Sequence, residues 1–162
     1  MKGLEAVCFQ LLKERNLTLS TAESCTGGRV AERITALPGV SSVYRGGVVS
    51  YWTSVKAAVL GVPQETLDQY GAVSEETARA MAEGARQITG ADIAVSVTGV
   101  AGPDPDERGN PVGLVFIGLD TAEGTFCRRC DFGRRRRDRI QELAANHAFD
   151  LLRRYLSGTP LT

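Results

Sequence analysis

The stretch between residues 17 and 37 constrains the fold more than any other part of this chain. Its first seven residues, Leu17 to Glu23, alternate in the manner of a β-strand. Gly27-Gly28 breaks that strand, and apolar residues then recur at helical spacing until Pro38-Gly39 ends the pattern. A strand that turns tightly into a helix predicts an α/β fold, and it places Ser24 in the turn.

The rest of the chain repeats this alternation. We predict further helices over residues 3–15, 53–60, 63–70, 74–90 and 138–155, and further strands over residues 43–51, 93–98, 112–121 and 125–132. Ser74 should cap the helix that ends at Gly90, and Gln141 should be the capping partner at the start of the last helix. The last two strands should form a hairpin. These elements predict a three-layer α/β/α sandwich on a mixed, mostly parallel sheet with an antiparallel hairpin.

Length and composition favour one ordinary soluble domain. At 162 residues and 43% apolar content, the chain is expected to form a single domain over residues 1–162, with a disordered tail at 158–162. Nineteen basic and nineteen acidic side chains give no overall case for a nucleic-acid partner. No signal peptide and no apolar run of about 18 residues is evident, so we expect a cytoplasmic protein without membrane contact.

Ser24 lies where the first backbone amides of a helix point outward without partners. Such a site can hold a phosphate or stabilise a developing oxyanion. Alternatively, Ser24 or Thr26 simply caps the helix, and spacing alone favours neither interpretation. The flanking residues match neither a G-x-S-x-G elbow nor a Walker loop.

A serine nucleophile needs a base, and the candidates are few. The only histidine, His147, falls within the apolar-striped last helix, where a surface or core-edge position is expected. Lys2 and Lys13 belong to the first helix, which leaves Lys56 among the three lysines. Apolar neighbours could bury Lys56 and lower its pKa enough for it to act as a base. The alternative is a solvated lysine on a short helix.

The cysteines offer weaker alternatives. Cys25 adjoins Ser24, but without a histidine to deprotonate it we expect a packed small residue. Cys127 and Cys130 lie three apart on a predicted strand and should face opposite sides. Neither zinc binding nor thioredoxin chemistry is expected of that pair, and all four cysteines, including Cys8, should be free thiols.

Arginines form the strongest charge cluster of the chain. Arg134 to Arg137 stand with Arg128, Arg129 and Arg139 around the start of the last helix. Most such runs are solvated. Four arginines ahead of a helix N-terminus nevertheless oppose its dipole, which suggests that some of them face an anion such as a substrate phosphate.

Five segments, taken in order, resemble the CinA C-terminal domain family. They are Ala22-Glu23-Ser24-Cys25-Thr26-Gly27-Gly28, Arg45-Gly46-Gly47-Val48-Val49 followed by Tyr51 and Lys56, Gly71-Ala72-Val73-Ser74, Val97-Thr98-Gly99-Val100-Ala101-Gly102-Pro103, and Pro111-Val112-Gly113. The resemblance extends over roughly residues 4–156. The family contains nicotinamide mononucleotide deamidase, and the larger N-terminal domain of long CinA proteins has no counterpart here, which is the expectation for a free-standing form.

The resemblance implies a serine-lysine amidohydrolase that converts nicotinamide mononucleotide to nicotinate mononucleotide and ammonia without a metal or other cofactor. It implies Ser24 as nucleophile and Lys56 as base, with Tyr51 and Thr98 as supporting polar groups. An arginine near the start of the last helix is also implied, and we favour Arg137. The substrate-binding residues expected on the same basis are Cys25, Thr26, Gly27, Gly28, Gly46, Gly99 and Arg137.

The chain departs from the family pattern at two places. The usual turn before the last helix is replaced by Arg135-Arg136-Arg137, and the arginine that usually follows is replaced by Gln141. The loop from Asp104 to Asn110 is more acidic than usual. Reaction type is therefore better defined than substrate preference. We also expect a homo-oligomer, a dimer or a trimer. The competing hypotheses are a non-catalytic nucleotide-binding module of the same fold and, less favoured, an arginine-mediated nucleic-acid binder.

Overall fold

The structure, a computed structural model, describes residues 3–162; Lys2, assigned above to the first helix, lies outside the described residues. Eleven principal elements follow one another along the chain. The helices are α1 (Leu4–Arg15), α2 (Arg29–Thr35), α3 (Thr53–Ala58), α4 (Gln64–Tyr70), α5 (Glu75–Thr89) and α6 (Arg137–Ser157). The strands are β1 (Leu19–Glu23), β2 (Tyr44–Val49), β3 (Ile93–Gly99), β4 (Leu114–Thr121) and β5 (Gly124–Asp131). A short 3-10 turn, Val40–Ser42, precedes β2.

The five strands form one mixed sheet in the order β2-β1-β3-β4-β5. β1 pairs in parallel with both β2 and β3, whereas β4 runs antiparallel to β3 and to β5. Four strands therefore run in one direction and β4 opposes them. The predicted hairpin is confirmed as β4 and β5, and the mixed α/β architecture is confirmed with it.

Helices cover both faces of the sheet. The larger core lies under α1, α2 and α6 and contains Leu12, Ile34, Ile117 and Phe149, each at most 1% exposed. The smaller core lies under α3, α4 and α5, around Ala22, Leu67 and Met81. β1, β3 and β4 are buried on both faces, as expected of strands between two helical layers.

The helix starts show one confirmed and one wrong capping prediction. Ser74 caps α5 as predicted, since its Oγ accepts the Thr77 N–H at 3.1 Å. At α6 no side chain caps the N-terminus, and Gln141 instead donates to the Cys25 carbonyl at 2.9 Å. The reason is tertiary packing: the first turn of α6 lies beside the turn after β1, whose carbonyl competes for the Gln141 amide.

The C-terminal tail is held by hydrogen bonds to two arginines of the body of the protein. The tail 158–162 was expected to be disordered; in the structure it is coil, and its Pro160 and Leu161 carbonyls accept from Arg154 and Arg128. Between residues 3 and 162, no helix has both the length and the apolar character needed to cross a bilayer.

Candidate active site

Three parallel strands end at the same edge of the sheet, and the candidate residues lie just beyond them. Ser24 follows β1, the Ser50-Tyr51 pair follows β2, and Thr98 stands at the end of β3. Backbone hydrogen bonds continue past the strand ends, because the Ser24 N–H donates to Val97 and the Ser50 N–H donates to Glu23. Such an edge is where open α/β sheets bind ligands.

Ser24 and Lys56, 32 residues apart in the chain, are in direct contact. Lys56 Nζ lies 2.9 Å from Ser24 Oγ. Lys56 is 1% exposed and Ser24 is 8% exposed. α3 therefore carries Lys56 into the protein rather than to the surface, and the solvated-lysine alternative does not hold.

The surroundings of Lys56 make the uncharged amine easier to reach near neutral pH. Burial lowers its pKa from 10.5 to about 8, and no carboxylate contacts the amine within the described residues. Its other neighbours are the Ser50 and Tyr51 carbonyl oxygens, at 2.5 and 3.4 Å from Nζ. A neutral amine can donate its two N–H groups to these carbonyls and keep its lone pair for the Ser24 hydroxyl proton.

Glu23 is a site residue that sequence reasoning missed. Its side chain is 1% exposed and accepts from the Thr26 hydroxyl at 2.7 Å, from the Val30 N–H at 2.9 Å and from the Ala31 N–H at 3.0 Å. Gly28, the N-cap position of α2, has no side chain to do this. An acidic residue before the turn combined with a glycine at the cap was the available signal.

The turn after β1 leaves several backbone amides without partners. Gly27 and Gly28 take positive φ angles of 61° and 107°, which only glycine adopts readily, and they bring the chain around Ser24. Among the described residues, the N–H groups of Cys25, Thr26 and Gly28 donate to no acceptor. Three free amides beside a hydroxyl are the elements of an oxyanion-binding site.

Arg137 is the arginine that reaches the site. Its guanidinium donates to the Gly102 carbonyl at 2.5 Å and to the Tyr51 hydroxyl. It thereby joins the start of α6 to the loop after β3 and to the segment after β2. Tyr51 is 52% exposed, so this bridge lies at the mouth of the site.

Most neighbouring arginines pair with carboxylates near the surface, as a solvated cluster does. These pairs are Arg128 with Asp150, Arg129 with Asp131, Arg136 with Asp138 and Arg139 with Glu142. Only one arginine of the cluster, Arg137, contacts a site residue.

The remaining predicted positions fall into two groups. Thr98 and Gly99 lie at the site edge, but the Thr98 hydroxyl, 1% exposed, donates to the Ala72 carbonyl at 2.7 Å. Gly46 is not at this edge, contrary to expectation. It pairs with Ser20 inside the sheet, three residues before β2 ends, and the strand rise of about 3.3 Å per residue puts it about 10 Å away.

The alternative nucleophile and base are unsuited to those roles. Cys25 is 4% exposed, and burial raises the pKa of its thiol to about 12. His147 is half-buried at the edge of the core, where its ring contacts Arg128, Cys130 and Phe132 rather than the turn after β1. Burial lowers the pKa of that imidazole. Ser24 is left with Lys56 as its partner.

The four cysteines are free, as predicted. Cys127 packs on the α5 side of β5 and Cys130 in the core beneath α6, so the pair faces opposite sides of the sheet. Over residues 3–162, no three histidine, cysteine or acidic side chains are grouped as metal ligands would be.

Relatives of known sequence and structure agree with this architecture. The CinA C-terminal domain family matches residues 1–156. A CinA-like protein from Desulfotalea psychrophila is 47% identical over 94% of the chain, which spans 37% of that relative's length. The chain spans about a third of the length of the curated relatives that it matches.

Solved structures match over most of their length. A CinA superfamily protein from Klebsiella pneumoniae 700603 superposes with a TM-score of 0.92 at 33% identity, and 96% of each chain is covered. The competence/damage inducible protein from Agrobacterium tumefaciens gives 0.89 at 35% identity over 97% of each chain. On the strength of the family match and these relatives, the chain belongs to the CinA C-terminal domain family.

Proposed function

We propose that this protein hydrolyses the carboxamide of nicotinamide mononucleotide to nicotinate mononucleotide and ammonia, a reaction of pyridine nucleotide recycling. The observation that carries the proposal is the 2.9 Å contact between Ser24 Oγ and the buried Lys56 amine. An unprotonated lysine beside a serine hydroxyl is a nucleophile and base pair that needs no histidine. The resemblance to nicotinamide mononucleotide deamidase supplies the substrate.

The acylation step follows from the contacts of Lys56. Neutral Nζ takes the Ser24 proton as Oγ bonds to the carboxamide carbon, which forms a tetrahedral intermediate. The resulting ammonium returns a proton to the amide nitrogen, the C–N bond breaks, and ammonia leaves an acyl-serine. Lys56 then activates water, which attacks the acyl carbon and releases the carboxylate and free Ser24.

The free amides of the turn would hold the oxyanion of that intermediate. Those of Cys25, Thr26 and Gly28 lie within four residues after Ser24 and have no competing acceptor among the described residues. One such donor is commonly worth about 10²–10³ in rate.

Arg137 and its surroundings supply a binding site for the rest of the nucleotide. A shallow, open groove of about 430 Å³ runs along Tyr51, Trp52, Thr53 and Ser54, beside the contact of Arg137 with Tyr51. The guanidinium of Arg137, bonded to Tyr51, places a positive charge at its mouth. We propose that this charge meets the substrate phosphate.

An ammonia-release assay tests the proposal directly. Wild-type protein with nicotinamide mononucleotide should release ammonia and nicotinate mononucleotide, and Ser24→Ala should lose at least about 10³-fold in kcat. Undiminished turnover by Ser24→Ala would disprove the assignment of the nucleophile. Binding of the nucleotide in calorimetry without any turnover by wild type would support the non-catalytic binding module instead.

We also propose that the protein is a homo-oligomer, a dimer or a trimer. Large apolar side chains are exposed on and near edge strand β2, namely Val49, Tyr51, Trp52 and Val59. Contiguous exposed apolar surface is typical of interfaces. Light scattering after gel filtration should give two or three times the 17.3 kDa chain mass, whereas a monomeric mass at micromolar concentration would contradict the proposal.

A further inference from the structure

Glu23 and Ser24 are consecutive residues with opposite surroundings. Strand geometry sends neighbouring side chains to opposite faces, so Glu23 lies under α2 while Ser24 meets Lys56. Three donors converge on the two oxygens of Glu23: the Thr26 hydroxyl and the Val30 and Ala31 N–H groups. This pattern suits an ionised carboxylate, which only accepts hydrogen bonds.

The carboxylate occupies the place where α2 would otherwise bind an anion. The first-turn amides of a helix and its dipole favour a negative group, and here the protein provides that group itself. A substrate phosphate or an oxyanion therefore cannot use the Val30 and Ala31 amides. The free donors that remain belong to the turn, at Cys25, Thr26 and Gly28.

Thr26 connects the buried Glu23 carboxylate to the free amides of the turn. Its hydroxyl donates to Glu23 inside the protein, whereas its backbone N–H is one of the free amides of the turn. Thr26 is 1% exposed as a residue and its hydroxyl is bound to Glu23, so the hydroxyl does not meet the substrate as the expected substrate-binding role of Thr26 would require. The hydrogen bond from hydroxyl to carboxylate ties Thr26 to Glu23 at 2.7 Å.

We propose that Glu23 is a positioning residue: its carboxylate fills the N-terminus of α2 and, through Thr26, orients the turn amides around Ser24. This inference rests on the proposed serine-lysine chemistry but concerns a residue with no direct contact to substrate. Glu23 acts on the transition state, where the oxyanion forms, and not on nucleotide binding.

Matched substitutions separate positioning from general stability. Glu23→Gln replaces one acceptor oxygen by an amide NH2 group, a donor that faces another donor. Thr26→Val removes the hydroxyl while keeping the side-chain shape, and Thr26→Ser restores it. Glu32→Gln is the control, because it makes the same chemical change on an exposed side chain of α2.

Two measurements are needed. The first is kcat and KM for ammonia release from nicotinamide mononucleotide. The second is the rate at which a fluorophosphonate labels Ser24, followed by intact mass. In that labelling the Oγ–P bond forms as P–F breaks, fluoride leaves, and Lys56 takes the proton. Labelling reports the nucleophile and its oxyanion site without any assumption about the natural substrate.

Glu23→Gln should lower both kcat and the labelling rate about 100-fold, as expected of a misplacement of order 1 Å, with KM within about twofold of wild type. Thr26→Val should lower kcat and the labelling rate about tenfold, and Thr26→Ser should recover most of that loss. Glu32→Gln should match wild type.

Wild-type labelling rates in both Glu23→Gln and Thr26→Val would overturn the inference, as would an equal loss in Glu32→Gln. If Glu23→Gln does not fold, the Thr26 pair decides the question alone. A wild type that labels at Ser24 yet releases no ammonia contradicts the proposed substrate, and the labelling rates still test Glu23. A wild type that neither labels nor turns over refutes both proposals.

Discussion

The first-turn N–H groups of α2 and α5 find their side-chain acceptors in different ways. α5 is capped by the residue directly before it, Ser74, whose Oγ accepts the Thr77 N–H. α2 is capped from the preceding strand, by Glu23, across a five-residue turn that contains Ser24. The hydroxyl of Ser74 contacts only the local segment from Gly71 to Thr77. Glu23 also contacts Thr26 within the turn, so the proposed mechanism couples capping to catalysis at α2 and not at α5.

The largest effect of a single substitution is expected at Lys56. Lys56→Met removes the base that contacts Ser24 and should lower kcat about 10²–10⁴-fold, the range for a general base. The variant should still fold, because Met fills the buried space without a charge to desolvate. Ammonia release and circular dichroism test this, and a wild-type kcat would remove Lys56 from the mechanism.

The next effect is the pH dependence of the same site. Only unprotonated Lys56 can take the Ser24 proton, and its pKa is about 8. Below that pH, kcat/KM should fall about tenfold per pH unit, and above it the rate should level off. A profile that is flat between pH 6 and 9, at concentrations well below KM, would contradict a lysine base.

The free energy of unfolding should also depend on the titration of Lys56, and it should rise with pH. In the unfolded chain Lys56 binds its proton up to about pH 10.5, but in the folded protein only up to about pH 8. Between those values the unfolded state holds more protons, so wild type should gain about 3 kcal/mol relative to Lys56→Met as pH rises. Urea unfolding of both proteins at pH 7 and pH 10 measures the difference, and an unchanged difference would contradict the lowered pKa.

A smaller effect is expected at the mouth of the site. Arg137→Gln keeps a donor for the Gly102 carbonyl but loses the charge, so KM should rise about tenfold while kcat changes little. Matched measurements on Arg136→Gln, whose side chain pairs with Asp138 at the surface, should give wild-type values. Equal effects in the two variants would show that the cluster acts only through its total charge.

The smallest effect tests the other side of the comparison. Ser74→Ala removes the local cap of α5 and should lower the free energy of unfolding by about 1 kcal/mol. Because Ser74 contacts neither Ser24 nor Lys56, kcat and KM should not change. Urea denaturation and ammonia release distinguish the outcomes, and a loss of rate at full stability would show that α5 is coupled to the site as well.

The same contrast explains which features could be predicted from sequence. α5 was predicted closely because its signals, Ser74 and Gly90, adjoin the helix. Lys56 was found by eliminating the other bases, but its contact with Ser24 depends on β1 and β2 ending side by side, which no local pattern encodes. Glu23 was missed because its partners are amides of a helix that only the folded turn brings within reach.

Two mistaken expectations have related causes. Gln141 matched a capping pattern, but the turn after β1 offered its amide a competing carbonyl at Cys25. Gly46 was assigned to the site because it stands in a motif with Tyr51 and Lys56, yet the register of β2 holds it opposite Ser20. Membership of a motif indicates proximity along the chain, and register decides which members meet in space.

Trp52 provides the protein with its own optical reporter. It is the single tryptophan of the chain, its indole is 74% exposed, and it lines the groove four residues before Lys56. Tryptophan emission, excited at wavelengths where the four tyrosines absorb little, therefore arises from the neighbourhood of the reacting groups alone. Titration with nucleotides, followed by emission and by acrylamide quenching, can record occupancy in wild type and in inactive variants without a label.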